Sequence, residues 1–286
     1  MRERSARRAI VRAACAVIAA MSVTSAWPAA AQTPAPAALA DYQNIPLWPS
    51  GHVPMATGTG PLDAPFLTVF RPKPGASNGG AVVIAPGGSN IMLMYGAEGF
   101  EVAEHYNDWG VTAFVLTYRL SPHYNDAARI LDGQRAIRLV RANAAAWQLD
   151  PARIGYIGFS AGSNMGRPIV ASATSGDPQS ADPIERVSAR PDYLVLVYGP
   201  GRATPGESLK DFPPTFLLSA AGDAQPSLGN AQLFADLTRA GAAAEIHVFQ
   251  KGRHGFGAGD GSPEFSSWMP MLKHFLDTDG LLTGRK

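Results

Sequence analysis

Short runs of apolar, β-branched and aromatic residues alternate with longer amphipathic segments along this chain. The runs fall at residues 66–70, 81–85, 111–118, 154–159, 193–198, 215–219 and 245–249, lengths suited to buried strands. Segments at 98–109, 127–147, 161–173, 230–240 and 264–277 carry helical spacing instead. In the longest of these, Ile130, Ile137, Val140, Ala144 and Trp147 fall on one helical face. Strands that are apolar throughout and separated by helices predict an α/β fold, a mostly parallel sheet with helices on both faces.

The pattern breaks down toward the N-terminus. Pro34, Pro36, Pro46, Pro49, Pro54 and Pro61 argue against regular structure between residues 33 and 62, and predict a mobile start followed by an ordered arm. Leu47 and Trp48 are the side chains expected to pin that arm to the domain. Before it, Arg2, Arg4, Arg7, Arg8 and Arg12 precede an Ala/Val/Ile-rich stretch that ends at Ala29-Ala30-Ala31, the layout of a bacterial export signal. The expected organisation is a signal peptide at 1–31, a Pro-rich arm at 32–62 and a catalytic domain at 63–286. The apolar stretch of the signal is too short for a convincing membrane span, and no later stretch approaches the ~20 apolar residues that a span needs.

Removal of the signal changes the charge balance. Lys+Arg falls from 24 to 19 and Asp+Glu from 23 to 22, so the formal net charge moves from +1 to −3. A mildly acidic chain has no basic excess for nucleic acid or anionic lipid, and neither is expected as a partner. The single cysteine, Cys15, lies inside the signal, leaving the exported chain without disulfide or thiol chemistry.

Candidate chemistry centres on Gly158-Phe159-Ser160-Ala161-Gly162, which follows one apolar run and opens a helical segment. In that setting G-x-S-x-G reads as a nucleophile elbow, a strained strand-to-helix turn that lifts a serine hydroxyl clear of the sheet. Gly158 and Gly162 have a steric reason, since only small neighbours let strand and helix approach so closely. A serine hydroxyl needs a base, and the base needs a carboxylate to orient it. In chain order these should follow Ser160, and two residues stand just past later strands: Asp223 after residues 216–222, and His254 in the loop 252–257. The bland alternatives are a turn-closing Asp and a solvated loop histidine. Among the other histidines, His52, His105 and His123 precede Ser160, His247 lies in a strand pattern and His274 in the last helix.

Charge developing on the substrate oxygen must meet preorganised donors. The backbone N–H of Ala161 is one candidate, and Gly88 or Ser89, in the glycine-rich turn after residues 81–85, is the other. A phosphate loop at those glycines is disfavoured, because neither Gly-Lys-Ser/Thr nor G-x-G-x-x-G spacing is present. The histidines are scattered, H-E-x-x-H is absent and no calcium-loop spacing occurs, so no metal is expected.

These pieces together resemble the acetyl-xylan-esterase-like group of α/β-hydrolases, the carbohydrate acetyl esterases, over residues 45–276. The resemblance rests on Leu47-Trp48-Pro49-Ser50-Gly51, on residues 81–89 and 111–120, on the helix at 132–142, on the run from Asp150 into the elbow, and on residues 247–256. It implies the α/β-hydrolase fold, with Ser160, Asp223 and His254 as the triad and structural roles for Tyr118 and Arg119. The chain departs from the family pattern at Ser89-Asn90, where a third glycine and an aromatic are usual. It departs again at Ser163-Asn164, in place of Gly-His, and at Ala224-Gln225-Pro226-Ser227, which lacks Val-Pro. These departures would line the acyl or alcohol pocket, which makes Asn90 and Asn164 candidate substrate-binding residues.

The expected function is a secreted or periplasmic serine esterase removing acetyl or other small acyl groups from plant-polysaccharide sugars. The alternatives are a short-chain carboxylesterase or lipase, a prolyl-oligopeptidase-type peptidase, and an inactive binding relative. Exhaustive chelation is expected to leave ester hydrolysis and melting temperature unchanged. Activity lost to EDTA and restored by zinc or calcium would contradict the cofactor-free reading.

Overall fold

A computed structural model describes residues 42–283. The expected export signal at 1–31, and the arm as far as residue 41, lie outside the described residues.

Eight strands form one sheet: β1 (Gln43–Pro46), β2 (Phe66–Phe70), β3 (Ala81–Ala85), β4 (Thr112–Thr117), β5 (Ile154–Phe159), β6 (Tyr193–Val197), β7 (Thr215–Ala220) and β8 (Ala244–Phe249). Their spatial order is β1-β2-β4-β3-β5-β6-β7-β8. β1 and β2 run antiparallel at one end, and every pairing from β4 through β8 is parallel. Helices α1 (Glu101–Asp108), α2 (Asp126–Ala142), α3 (Ala161–Ala171), α4 (Ala224–Ala240) and α5 (Trp268–Thr278) cover the sheet. Among the described residues no helix is long and apolar enough to cross a membrane.

The continuous apolar runs follow from burial of both sheet faces. Along β6, Leu194 and Leu196 enter the core that contains Ile137 of α2 and Ile169 of α3, while Tyr193, Val195 and Val197 enter the one that contains Val102 of α1 and Trp268 of α5. β3 alternates in the same way, with Val83 on the first side and Val82 and Ile84 on the second. Period-2 geometry thus divides one apolar run between two cores, and no face is left for polar alternation.

Some bounds differ from expectation. β1 lies inside the Pro-rich arm; it is an edge strand whose last residue is Pro46, a position where a missing N–H costs no ladder bond. α4 starts at Ala224 rather than near residue 230, because Pro226 sits in the first turn, where backbone N–H groups have no intrahelical partner. The first helical segment opens with a π-helical turn, Gly96–Phe100, before α1. α2 stops at Ala142, since the chain turns there to bring the Asp150 N–H to the Gly79 carbonyl (2.8 Å) at the start of β5.

Leu47 and Trp48 are buried, and two arginines tie the arm that carries them to α2. Arg119 donates to Asp132 through Nε (3.0 Å) and Nη2 (2.7 Å) and to the Pro54 carbonyl through Nη1 (2.6 Å), with its guanidinium over the rings of Trp48 and Tyr124. Arg135 lies over Trp48 as well and donates to the Leu47 carbonyl at 2.8 Å. Both members of the Arg119–Asp132 pair are fully buried, so removing one leaves the other charge uncompensated. Arg119→Ala is expected to lower the unfolding free energy by about 3–5 kcal/mol in denaturant titration. A loss below about 1 kcal/mol would place the pair among surface bridges in its effect.

Candidate active site

Ser160 joins β5 to α3 with φ 50° and ψ −111°, in the region that ordinary side chains avoid. Close packing holds it there. A Cβ on Gly162 would stand 2.1 Å from the Ala85 carbonyl oxygen, and one on Gly158 would stand 2.3 Å from the Gly162 carbonyl oxygen. The Ser160 N–H donates to the Val197 carbonyl at 3.0 Å, tying the turn to β6. The buried Tyr156 phenol, raised by burial above its usual range and therefore protonated, donates to the Gly162 carbonyl at 2.7 Å.

His254 arrives from the loop after β8. Its Nε2 lies 2.7 Å from Ser160 Oγ and its Nδ1 lies 2.5 Å from Asp223 Oδ2. A carboxylate only accepts, so Nδ1 carries the proton and Nε2 is left to accept from the serine hydroxyl. Asp223 is the N-cap of α4, yet its side chain makes no capping bond and turns to His254 instead. The imidazole packs on the Tyr198 ring, centroids 4.7 Å apart, and is about half exposed to solvent.

The turn after β3 packs directly on the elbow. Gly87 has no room for a Cβ, which would fall 2.8 Å from Ser160 Cβ. Its N–H is already engaged by the Glu98 carboxylate at 2.7 Å. The N–H groups of Gly88 (φ 130°) and Ser89 (φ 56°) donate to no partner among the described residues, and Ala161 opens α3, where helical N–H groups have no intrahelical acceptor. Tyr118 fixes the turn from behind by donating to the Pro86 carbonyl at 2.7 Å.

The BD-FAE family model matches residues 67–186. An acetylxylan esterase of Xylanibacter ruminicola is 26% identical over 214 residues, 64% of this chain and 42% of the relative. Endo-1,4-beta-xylanase B of Butyrivibrio fibrisolvens is 27% identical over 222 residues, covering 65% of this chain and 34% of that protein. The chain thus spans less than half the length of these two curated relatives. Among solved structures, an acetyl ester-xyloside bifunctional hydrolase from Caldicellulosiruptor lactoaceticus superposes with a TM-score of 0.76 at 30% identity, covering 84% of this chain and 97% of that one. The chain belongs to the acetyl-xylan-esterase-like α/β-hydrolases. Esterase 2 of Thermogutta terrifontis shares the fold, with a TM-score of 0.67 at 18% identity over 87% of this chain and 98% of its own.

Of the chain's departures from the family pattern, Asn90 and Asn164 line a common cavity, whereas Ser89, Ser163 and residues 224–227, the first turn of α4, are not in its lining. That cavity, of about 200 Å³ beside Ala161, is lined by Asp126, Arg202 and Thr204 as well. Asn90 is left-handed (φ 62°), and its Oδ1 is buried without a partner. Ser163, one residue before Asn164, is fully buried and donates to the Gly199 carbonyl, so it faces the neighbouring strand end.

The remaining histidines stand apart from Ser160. His105 pairs with Asp260 at 2.8 Å, His247 pairs with Glu245 at 2.6 Å along β8, and His52, His123 and His274 are exposed.

Two residues went unread in the sequence. Glu98 is 4% exposed and its carboxylate joins Gly87 to Tyr198, whose hydroxyl donates to it at 2.5 Å. Burial, and then the carboxylate alongside, push the Tyr198 phenol well above its usual range, so it stays a donor. That hydroxyl also accepts from the Gly257 N–H at 3.2 Å, linking the turn after β3 to the histidine loop. No local pattern marks a partnership between residues 98 and 198.

Gly162→Ala should force the elbow away from the Ala85 carbonyl. The expected outcome is loss of most ester hydrolysis and a stability loss of roughly 1–3 kcal/mol, read by kinetics and denaturation. Parent-like values of both would show that the turn tolerates a Cβ.

Proposed function

We propose that the chain is an exported serine esterase that removes acetyl or other small acyl groups from plant-polysaccharide sugars. The observation that carries the reading is the bridge His254 makes between Ser160 (2.7 Å) and Asp223 (2.5 Å). Likeness to an acetylxylan esterase and to an acetyl ester-xyloside hydrolase favours acetate on a xylose-type sugar.

In this mechanism the Ser160 Oγ attacks the acyl carbonyl carbon while His254 Nε2 takes the hydroxyl proton. Asp223 keeps Nδ1 protonated and stabilises the imidazolium that forms. The carbonyl oxygen becomes an alkoxide, received by the N–H of Ala161 and that of Gly88 or Ser89. The carbon–oxygen bond to the sugar breaks as His254 returns the proton to the departing alkoxide. Water then attacks the acyl-serine, gives its proton to Nε2, and acetate leaves as Ser160 regains its hydrogen. Apart from that water, each step uses side chains and amides of this chain.

Ser160→Ala and His254→Ala are each expected to cut kcat/KM on acetylated xylan by at least about 10³-fold while the protein stays folded. His247→Gln and His274→Gln, outside the site, are expected to stay within a few-fold of parent in acetate release. Near-parent activity in the Ser160 variant, or a larger loss at His274 than at His254, would remove this triad from the mechanism.

A further inference from the structure

The cavity beside Ala161 has polar and apolar walls, and its two charged side chains are Asp126 and Arg202. Asp126 supplies its only carboxylate, and that carboxylate is shared: one oxygen accepts from Arg129, and the other accepts from Arg202 Nη1 at 2.9 Å. One negative charge therefore stands between two guanidiniums. Arg129 is spent inward, buried against the Tyr124 carbonyl (2.7 Å) and the Ser121 hydroxyl. Arg202 faces outward with its side chain 80% exposed, and its Nε and Nη2 donate to no partner among the described residues.

The segment bearing Arg202 is fixed to α3. Gly201 (φ +71°) sits so close that a Cβ there would lie 2.3 Å from Arg167 Cβ, and Arg167 is itself paired with Glu207 in a largely buried bridge. That pairing also removes Glu207 as a competitor for Arg202. At about 200 Å³ the cavity falls below the roughly 300–1,000 Å³ that encloses a drug-sized ligand, and suits about one sugar ring. Asn90, Asn164 and Thr204 offer hydroxyl-binding groups around it, and Ile130, Met165 and Pro168 an apolar flank.

We propose that this cavity holds the alcohol part of the ester, and that Arg202 selects a sugar carrying a carboxylate, an acidic sugar of the uronate type. The inference rests on the serine-esterase reading above and adds the class of sugar. A guanidinium with a free edge presents two parallel N–H donors, the geometry that matches a carboxylate and that a neutral hydroxymethyl group cannot match. Because Arg202 is exposed, the selection weakens with salt.

The test compares kcat/KM for mono-O-acetyl glucuronate and mono-O-acetyl glucose, acetylated at the same position, with an aryl acetate as an independent measure of ester hydrolysis. The parent is expected to prefer the uronate on the order of tenfold at low ionic strength, with the preference shrinking at 1 M salt, where the screening length is about 3 Å. Arg202→Gln should abolish the preference through KM, and Arg202→Lys should retain part of it with its salt dependence. Equal kcat/KM for the two sugars in the parent, or a preference that survives Arg202→Gln, overturns this inference while aryl acetate turnover leaves the esterase reading standing. Failure to hydrolyse any of the three substrates overturns both.

Discussion

The geometry of the site depends on one packed turn. Ser160 occupies a backbone conformation that costs an ordinary side chain about 1–3 kcal/mol, and it persists because the surroundings permit no other path. The Gly162 backbone presses against the Ala85 carbonyl of β3, Gly158 presses against Gly162, and the serine N–H is held by Val197 of β6. β5 lies between β3 and β6 in the sheet, so both neighbours clamp the turn. The same close approach brings the glycine turn after β3 against the serine side chain.

A buried polar frame behind the turn extends that constraint to the histidine. Glu98 accepts from Gly87 on one side and from Tyr198 on the other, and Tyr198 reaches Gly257 in the loop that carries His254 while its ring supports the imidazole. A carboxylate at this depth is tolerable only because both oxygens are engaged. Loop residues from three strand ends are thereby held relative to one another, the preorganisation that electrostatic stabilisation of an oxyanion requires.

Much of this was legible in the sequence, and the reason is periodicity. Strands β2 to β7 are largely buried on both faces and so appear as mostly apolar runs. β8, on the sheet edge, is only partly buried and alternates Glu245 and His247 with apolar residues. Ser160, Asp223 and His254 each stand beyond such a strand, where parallel strands end. β1 was missed because four residues on an edge, one of them proline, carry no alternation. Glu98 and Tyr198 were missed because their pairing spans 100 residues and is made by the sheet order alone. Arg202 lies in a loop with no period, and its place on the cavity wall follows from the packing of Gly201 on Arg167.

The central claim is that the strained turn presents Ser160 as the nucleophile, activated by His254. Its most direct test is covalent labelling with a diethyl aryl phosphate, followed by intact mass and peptide mapping, on the parent and on His254→Ala. One phosphoryl adduct is expected, on Ser160, formed rapidly in the parent and slowly in the variant. No adduct, an adduct on another residue, or equal rates in the two proteins would contradict it.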